Sequence, residues 1–298
     1  MISSRASEEP ERARLASFKQ SFPERGSAGE RNFATLGKNE RPCEKQSKTG
    51  PAKPIGDYLM SVLQGQEFYI SKRVGRAIMD YEMFSEGDKI AVAVSGGKDS
   101  LTLLRVLNDR RKFVPIKYDI LAVHIDLGYP RSVAKRLEKY FKKIGVKYHI
   151  EKVDVLKKTK KKDINCFWCS WNRRKALFET AVRFGCTKVA LGHHKDDIVE
   201  TILLNLFFQG EISAMAPKQE LFNGKIILIR PLAYVEEYMT KRFAKEEKLP
   251  QENCTCPNSI TSNRTRMAKI ISDLKKVCPE VKTNIFKSIK RIKKDYLL

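Results

Sequence analysis

Lys89-Ile90-Ala91-Val92-Ala93-Val94-Ser95-Gly96-Gly97-Lys98-Asp99-Ser100-Leu101-Thr102-Leu103-Leu104-Arg105-Val106-Leu107 decides the fold. Its first six residues form an apolar run of strand length, and from Leu101 the apolar positions recur at helical spacing. Between them the chain turns over two glycines. At such a junction the backbone can come close to an anion, the first-turn amides point at it, and the helix dipole favours its negative charge. The expected ligand is a phosphate, cradled by Ser95, Gly96, Gly97, Lys98, Asp99 and Ser100. Without a ligand, the same residues would be an ordinary Gly-Gly turn with a Ser/Asp helix cap.

The motif departs from the common nucleotide loop, G-x-x-x-x-G-K-S/T. Ser-Gly-Gly-Lys-Asp-Ser after a buried strand resembles the signature of the ATP pyrophosphatases instead. That family cleaves ATP between its α- and β-phosphates and passes AMP to a carbonyl or carboxylate oxygen.

Working outward, the spacing predicts a helix over 68–84, strands at 89–94 and 118–126, a helix over 133–144 and a short strand at 147–153. A helix over 170–184, a strand at 188–191, a helix over 197–208 and a strand at 225–230 continue the alternation. Helices near 236–247, 262–275 and 283–293 close the chain. Strands alternating with helices predict an α/β fold, a doubly wound parallel sheet covered on both faces, with C-terminal helices from about residue 235. Ligands in such sheets bind outside the carboxyl ends of the strands, where Ser95, Asp126 and His193 would all lie.

Residues 1–55 are rich in Ser, Glu, Arg and Pro and carry no sustained period, so they are expected to form a disordered basic tail. Met60 is a candidate start. The 298 residues, 42% of them hydrophobic, suffice for one large domain, taken as 56–298. No run of about 18 apolar residues exists, and the first residues lack a signal-peptide pattern. The expectation is a cytoplasmic protein with no membrane partner. A formal net charge of +23 calls for a polyanionic partner, RNA or DNA first among them. Lysines cluster at Lys157, Lys158, Lys160, Lys161 and Lys162, and basic residues again at Lys287, Lys290, Arg291, Lys293 and Lys294.

Seven cysteines in a reducing compartment argue for metal or redox chemistry before disulfides. Cys166-Phe167-Trp168-Cys169 stands just before a predicted helix, and Cys254-Thr255-Cys256 returns a second thiol pair far along the chain. A helix start lowers thiol pKa values and favours the thiolates that metals require. A closed structural zinc, a redox dithiol and an iron–sulfur cluster all remain open on spacing alone. Cys43, Cys186 and Cys278 are solitary and are taken as small hydrophobes.

Ser95–Ser100, Cys166-x-x-Cys169, Leu191-Gly192-His193-His194-Lys195-Asp196-Asp197, Ala216-Pro217-Lys218, Ile229-Arg230-Pro231-Leu232-Ala233-Tyr234 and Cys254-x-Cys256, taken in register over roughly residues 70–275, resemble the tRNA 2-thiocytidine synthetase (TtcA) family of PP-loop ATP pyrophosphatases. The resemblance implies an adenine nucleotide alpha hydrolase-like fold and an ATP-dependent tRNA sulfurtransferase. Such an enzyme adenylates the C2 oxygen of cytidine 32 in the anticodon loop and replaces it by sulfur, giving 2-thiocytidine. It further implies ATP, Mg²⁺ and a 4Fe-4S cluster, tRNA as partner, a sulfur donor such as a cysteine desulfurase, and a homodimer.

By that resemblance Cys166 and Cys169 match the first pair of cluster ligands and Cys256, rather than Cys254, the third. The family has Cys-x-x-Cys at the second site where this chain has Cys-x-Cys, so the choice between the two stays open. Asp99 would orient Mg²⁺ or phosphate and Lys98 would neutralise phosphate charge as AMP is transferred. Arg173 would face substrate or cluster, or lie on a solvated helix face. Gly192 and His193 would meet the nucleotide, and Asp126 the adenosine. His193, His194, Asp196 and Asp197 follow a strand end, a place for acid–base or metal work, with helix capping by Asp196 and Asp197 as the alternative. A 2-thiouridine synthetase of the same superfamily and a non-catalytic basic RNA-binding protein are the competing functions.

Overall fold

The computed structural model describes residues 65–128, 133–153, 166–252 and 263–296. The tail, Met60, Lys157–Lys162, Cys43, Cys254 and Cys256 lie outside the described residues, and of Cys166 only the backbone is described. The elements in chain order are α1 (Gly65–Asp80), β1 (Asp88–Ala93), α2 (Lys98–Arg110), β2 (Tyr118–Asp126), α3 (Ala134–Lys143), β3 (Lys147–Lys152), α4 (Cys166–Arg183), β4 (Lys188–Ala190), α5 (Lys195–Gln209), β5 (Lys218–Leu221), β6 (Ile226–Ile229), α6 (Glu237–Glu246), α7 (Asn263–Val277) and α8 (Val281–Ser288).

The strands form one sheet in the order β3-β2-β1-β4-β6-β5. Every pair is parallel except β5 with β6. From β1 the chain winds outward to β3, then returns to the opposite side of β1 with β4. The order therefore reverses between β1 and β4, which is where a doubly wound sheet opens a crevice at its carboxyl edge.

Both faces of the sheet are covered, which is why its central strands read as unbroken apolar runs. Ile90, Val92 and Val94 share one buried cluster with Ile120 and Ala122 and with side chains of α1, α2, α3 and α6. On the opposite face Leu121, Val123 and Val189 are buried, as are Ala176, Leu177, Phe178 and Ala181 of α4, which packs on β2 and β4. A fully buried Leu, Ile or Phe contributes about 1.5–3 kcal/mol relative to an exposed one. By that measure α6, with Met239, Phe243 and Ala244 in the main cluster, belongs to the core despite its place near the C-terminus. Helices α7 and α8 pack instead on α5 through Val199, Leu203, Met267, Ile271 and Val281.

Several boundaries differ from the expectation. Helix α4 begins at Cys166 rather than Ser170, so the Cys-x-x-Cys forms its first turn instead of preceding it. Helix α5 begins two residues earlier than expected because His194 caps it: its Nδ1 accepts from the Asp197 amide at 3.3 Å, and the Asp197 carboxylate accepts from the His194 amide at 2.9 Å. Helix α8 ends at Ser288, leaving Lys290 to set its ammonium 4.6 Å from the centre of the Tyr81 ring. Strand β5 was not anticipated; it adds one antiparallel edge to an otherwise parallel sheet. Among the described residues no helix is long and apolar enough to cross a membrane.

Candidate functional site

The Gly-Gly turn adopts the geometry that phosphate binding requires. Gly96 has φ +93°, and a Cβ there would stand 3.1 Å from Val133, so a side chain would be both strained and crowded. Gly97 is the N-cap of α2 and offers no side chain to the helix's first-turn amides, which therefore stay available to a ligand. Two serines brace the turn: the Ser95 amide donates to Ser100 Oγ at 3.2 Å, and Ser100 Oγ donates to the Gly97 carbonyl at 2.9 Å.

A second wall comes from the loop after β4. A Cβ on Gly192 would lie 2.9 Å from the backbone of Ser100, so only glycine lets this loop close on the start of α2. That approach places His193 beside the loop. A cavity of about 350 Å³ opens between the two walls. Ser95, Gly97, Asp99 and Ser100 line one side, Gly192, His193 and Asp197 another, and β2 contributes His124. Helix α4 closes the space with Ser170, Arg173, Arg174 and Leu177. Arg173 and Arg174 form no ion pair among the described residues, and their guanidiniums share the cavity with the carboxylates of Asp99 and Asp197.

The cysteine helix and the nucleotide loop thus share one cavity. Cys166 and Cys169 stand three apart on the first turn of α4, positions that share a helix face. Cys169 is half-buried, and the cavity lining starts at the next residue.

Other residues singled out from the sequence stand around the cavity rather than in its wall. The Lys98 ammonium lies 3.0 Å from Asp99 and 3.1 Å from Glu237 at the start of α6. Burial works against its charge, but the two carboxylates outweigh burial and hold its pKa above the ordinary lysine range. Asp99 also accepts from the buried Thr240 hydroxyl at 2.5 Å, so α6 braces both charged residues of the loop. Asp196 is buried behind the wall; it accepts from the Glu237 amide at 2.8 Å, capping α6 from another helix, and pairs with Lys282 of α8. Burial alone would raise its pKa, and these partners lower it. Asp126 accepts from the Gly128 amide at 3.1 Å in the turn after β2 and is not part of the cavity lining. Gly96 forms the turn itself.

Three neighbours were not singled out as site residues. His124 is buried, and its Nδ1–H donates to the Val94 carbonyl at 2.7 Å; burial, against that bond, keeps its pKa below the usual histidine value. The second is Arg230, at the end of β6, whose Nε–H donates to His193 Nδ1 at 3.4 Å and whose Nη1 donates to the Ala216 carbonyl. The third is Glu200 on α5, 3.8 Å from Arg264, which burial pushes up to about 7 against that guanidinium, with Asp197, Asp196 and Glu237 adding to the rise. Only an alternating strand pattern could have flagged His124, as a polar residue amid β2. The Arg230–His193 contact joins two motifs far apart in sequence and leaves no local trace.

A Gly-Gly loop from the end of a central parallel strand to a helix start, opening on a cavity at the point where strand order reverses, defines the PP-loop class. The PP-loop domain family matches residues 69–269. Within that class the chain belongs to the tRNA-cytidine(32) 2-sulfurtransferase family. Relatives of that name from Geotalea uraniireducens and Geobacter sulfurreducens are 43% and 42% identical over 235 residues, 77% of this chain and 93% and 91% of theirs. One from Paracidovorax citrulli is 40% identical over 234 residues, covering 77% of this chain and 76% of its own. Among solved structures, the U34-tRNA thiolase NcsA from Methanococcus maripaludis with its 4Fe-4S cluster aligns with a TM-score of 0.63 at 24% identity, over 76% of this chain and 79% of that one. That likeness is one of fold.

Proposed function

We propose that this cavity transfers AMP from ATP to the C2 oxygen of cytidine 32 in tRNA and then exchanges that oxygen for sulfur. The observation that carries the proposal is the meeting of the Gly-Gly loop with the Cys166–Cys169 helix on one cavity. A pyrimidine carbonyl oxygen is a poor leaving group. Once O2 attacks the α-phosphorus and pyrophosphate departs, C2 carries AMP; a sulfur nucleophile adds there, and AMP leaves with the former oxygen.

Each part of the chain has a task in that sequence. The first-turn amides of α2, with Ser95 and Ser100, hold the departing pyrophosphate. Lys98, Arg173 and Arg174 balance the charge that gathers on phosphate in the transition state. Asp99 would hold the Mg²⁺ that accompanies ATP. His124 and the apolar ends of β1 and β2 bound the cavity and limit water.

The cysteines suit a cluster. Cysteine sulfurs at a helix N-terminus, one of them half-buried beside the cavity, match the soft-ligand chemistry of iron–sulfur sites. Cys166, Cys169 and Cys256 would hold a 4Fe-4S cluster, which would supply the sulfur chemistry of the exchange. The residues flanking Cys254 and Cys256 meet the cavity rim on both sides: the Glu252 amide donates to the Gly96 carbonyl at 3.0 Å, and Arg264 pairs with Asp197 at 3.1 Å.

The test is to reconstitute the full chain with iron and sulfide under anaerobic conditions, incubate it with tRNA, ATP and sulfide, and analyse the nucleosides. The expected product is 2-thiocytidine, with Cys169→Ala losing both iron and product. A product containing 2-thiouridine alone would contradict the proposal.

A further inference from the structure

We infer that Arg230 holds His193 in its Nε2–H tautomer and that this N–H donates to the phosphoryl group transferred from ATP, an inference that rests on the adenylation chemistry proposed above. A guanidinium group donates hydrogen bonds and cannot accept them. Since Arg230 Nε approaches His193 Nδ1 at 3.4 Å, Nδ1 must be the acceptor, and the proton of the neutral ring sits on Nε2. Arg230 is not free to release the ring. It is 7% exposed, its Nη1 is bound to the Ala216 carbonyl, and its own amide donates to the Pro217 carbonyl at 2.8 Å.

The surroundings keep the ring uncharged. Arg174 of α4, Arg264 of α7 and Arg230 at the end of β6 face it, with Asp197 of α5 the one carboxylate among them. Burial is the largest influence and, together with the three guanidiniums, it outweighs what Asp197 returns, so the pKa falls to about 4. Among the described residues Nε2 has no hydrogen-bond partner. His193 nonetheless lines the cavity, next to the residue that touches the backbone of Ser100. A fixed donor beside the amides that grip pyrophosphate is placed for the phosphoryl group between pyrophosphate and substrate. With Nε2 protonated and Nδ1 already receiving an N–H, His193 cannot act as a general base. It is a neutral donor at neutral pH.

The test combines spectroscopy with a pair of isosteres. In the full chain labelled with ¹⁵N-histidine, with the signal assigned by its loss in His193→Gln, long-range ¹H–¹⁵N correlation reads tautomer and charge directly. The expected result is an Nε2–H ring with no titration between pH 5 and 8, converting to a tautomer mixture in Arg230→Met. A glutamine amide can reach the place of Nε2–H, whereas asparagine can mimic only Nδ1. His193→Gln should therefore retain AMP formation to within about tenfold, while His193→Asn loses about 10²-fold in rate, as removal of one such donor does, and binds AMP more weakly. An Nδ1–H ring, a titration near the ordinary histidine value, or equal rates for His193→Gln and His193→Asn would overturn the inference. Should Arg230→Met fail to fold, the wild-type spectrum and the Gln/Asn pair decide alone. An Nε2–H ring with AMP binding lost in His193→Asn, but with no 2-thiocytidine from the wild type, would support the donor and overturn the thiolation proposal.

Discussion

Gly192 shows how one missing side chain sets the site. Its Cα lies so near the start of α2 that any Cβ would sit 2.9 Å from Ser100 N and Cα. Backbone cannot move aside there as a flexible side chain could. Gly192→Ala should lower stability by about 1–3 kcal/mol, the usual range for overpacking, and reduce AMP formation at least tenfold by parting the two walls of the cavity. Thermal unfolding and an AMP release assay check it, and unchanged values in both would remove the close approach from the account. Glu200 gives a pH-dependent test. Its folded pKa near 7 lies above the unfolded value, so the folded state binds more protons between about pH 4.5 and 7, and stability from this group is lost as pH rises through 7. Glu200→Gln should therefore be more stable than wild type at pH 8, by on the order of 1 kcal/mol, with the gap closing by pH 5. A gap that widens toward acid would mean the carboxylate is stabilised in place. His193 acts with the opposite sign: its folded pKa is depressed, so its contribution is present above about 6.5 and lost as pH falls toward 4. Whole-protein acid titration mixes the two, which is why single-residue variants are the sharper measurement.

Among the elements, α6 is the one whose importance position in the chain conceals. It stands after the sheet is complete, yet Phe243 is 1% exposed inside the main core, and Glu237 and Thr240 hold Lys98 and Asp99. Phe243→Ala should cost about 3–5 kcal/mol, measured by denaturant unfolding, and a loss under about 1 kcal/mol would show α6 to be peripheral. Strands β1, β2 and β4 and helices α2 and α3 were legible because buried parallel strands are continuous apolar runs and the helices between them carry a 3.6-residue period. Strand β5 was not, since Lys218-Gln219-Glu220-Leu221 is short, polar and largely exposed at the sheet edge, where pairing with β6 rather than burial makes it a strand. The start of α4 was misplaced because its helical period was read only from Ser170, although Asn165, a residue type favoured at a helix N-cap, stands directly before Cys166. Of the site, the Gly-Gly loop and the His193–Asp197 stretch stood out as local motifs. The contacts Asp99–Thr240, Asp196–Lys282 and Arg230–His193 did not, because each joins residues from separate elements.

Over the whole molecule, the +23 net charge is far more than a cavity for ATP requires. Phosphate neutralisation by many lysines and arginines releases counterions, so affinity for a polyanion falls steeply with salt. Affinity for tRNA should drop about a hundredfold or more between about 50 and 200 mM salt, while the KM for ATP, set inside the cavity, changes much less. Filter binding and initial rates over a salt series check both, and a salt-independent tRNA affinity would contradict the role given to the charge. In the proposed function one cavity couples ATP cleavage to oxygen-for-sulfur exchange on a single nucleoside. The most direct measurement is the ratio of AMP released to 2-thiocytidine formed in a single preparation of tRNA, ATP, sulfide and reconstituted protein. One AMP is expected for each 2-thiocytidine, with neither formed without tRNA; ADP as the product, or AMP released with no thiolated cytidine, would overturn this coupling.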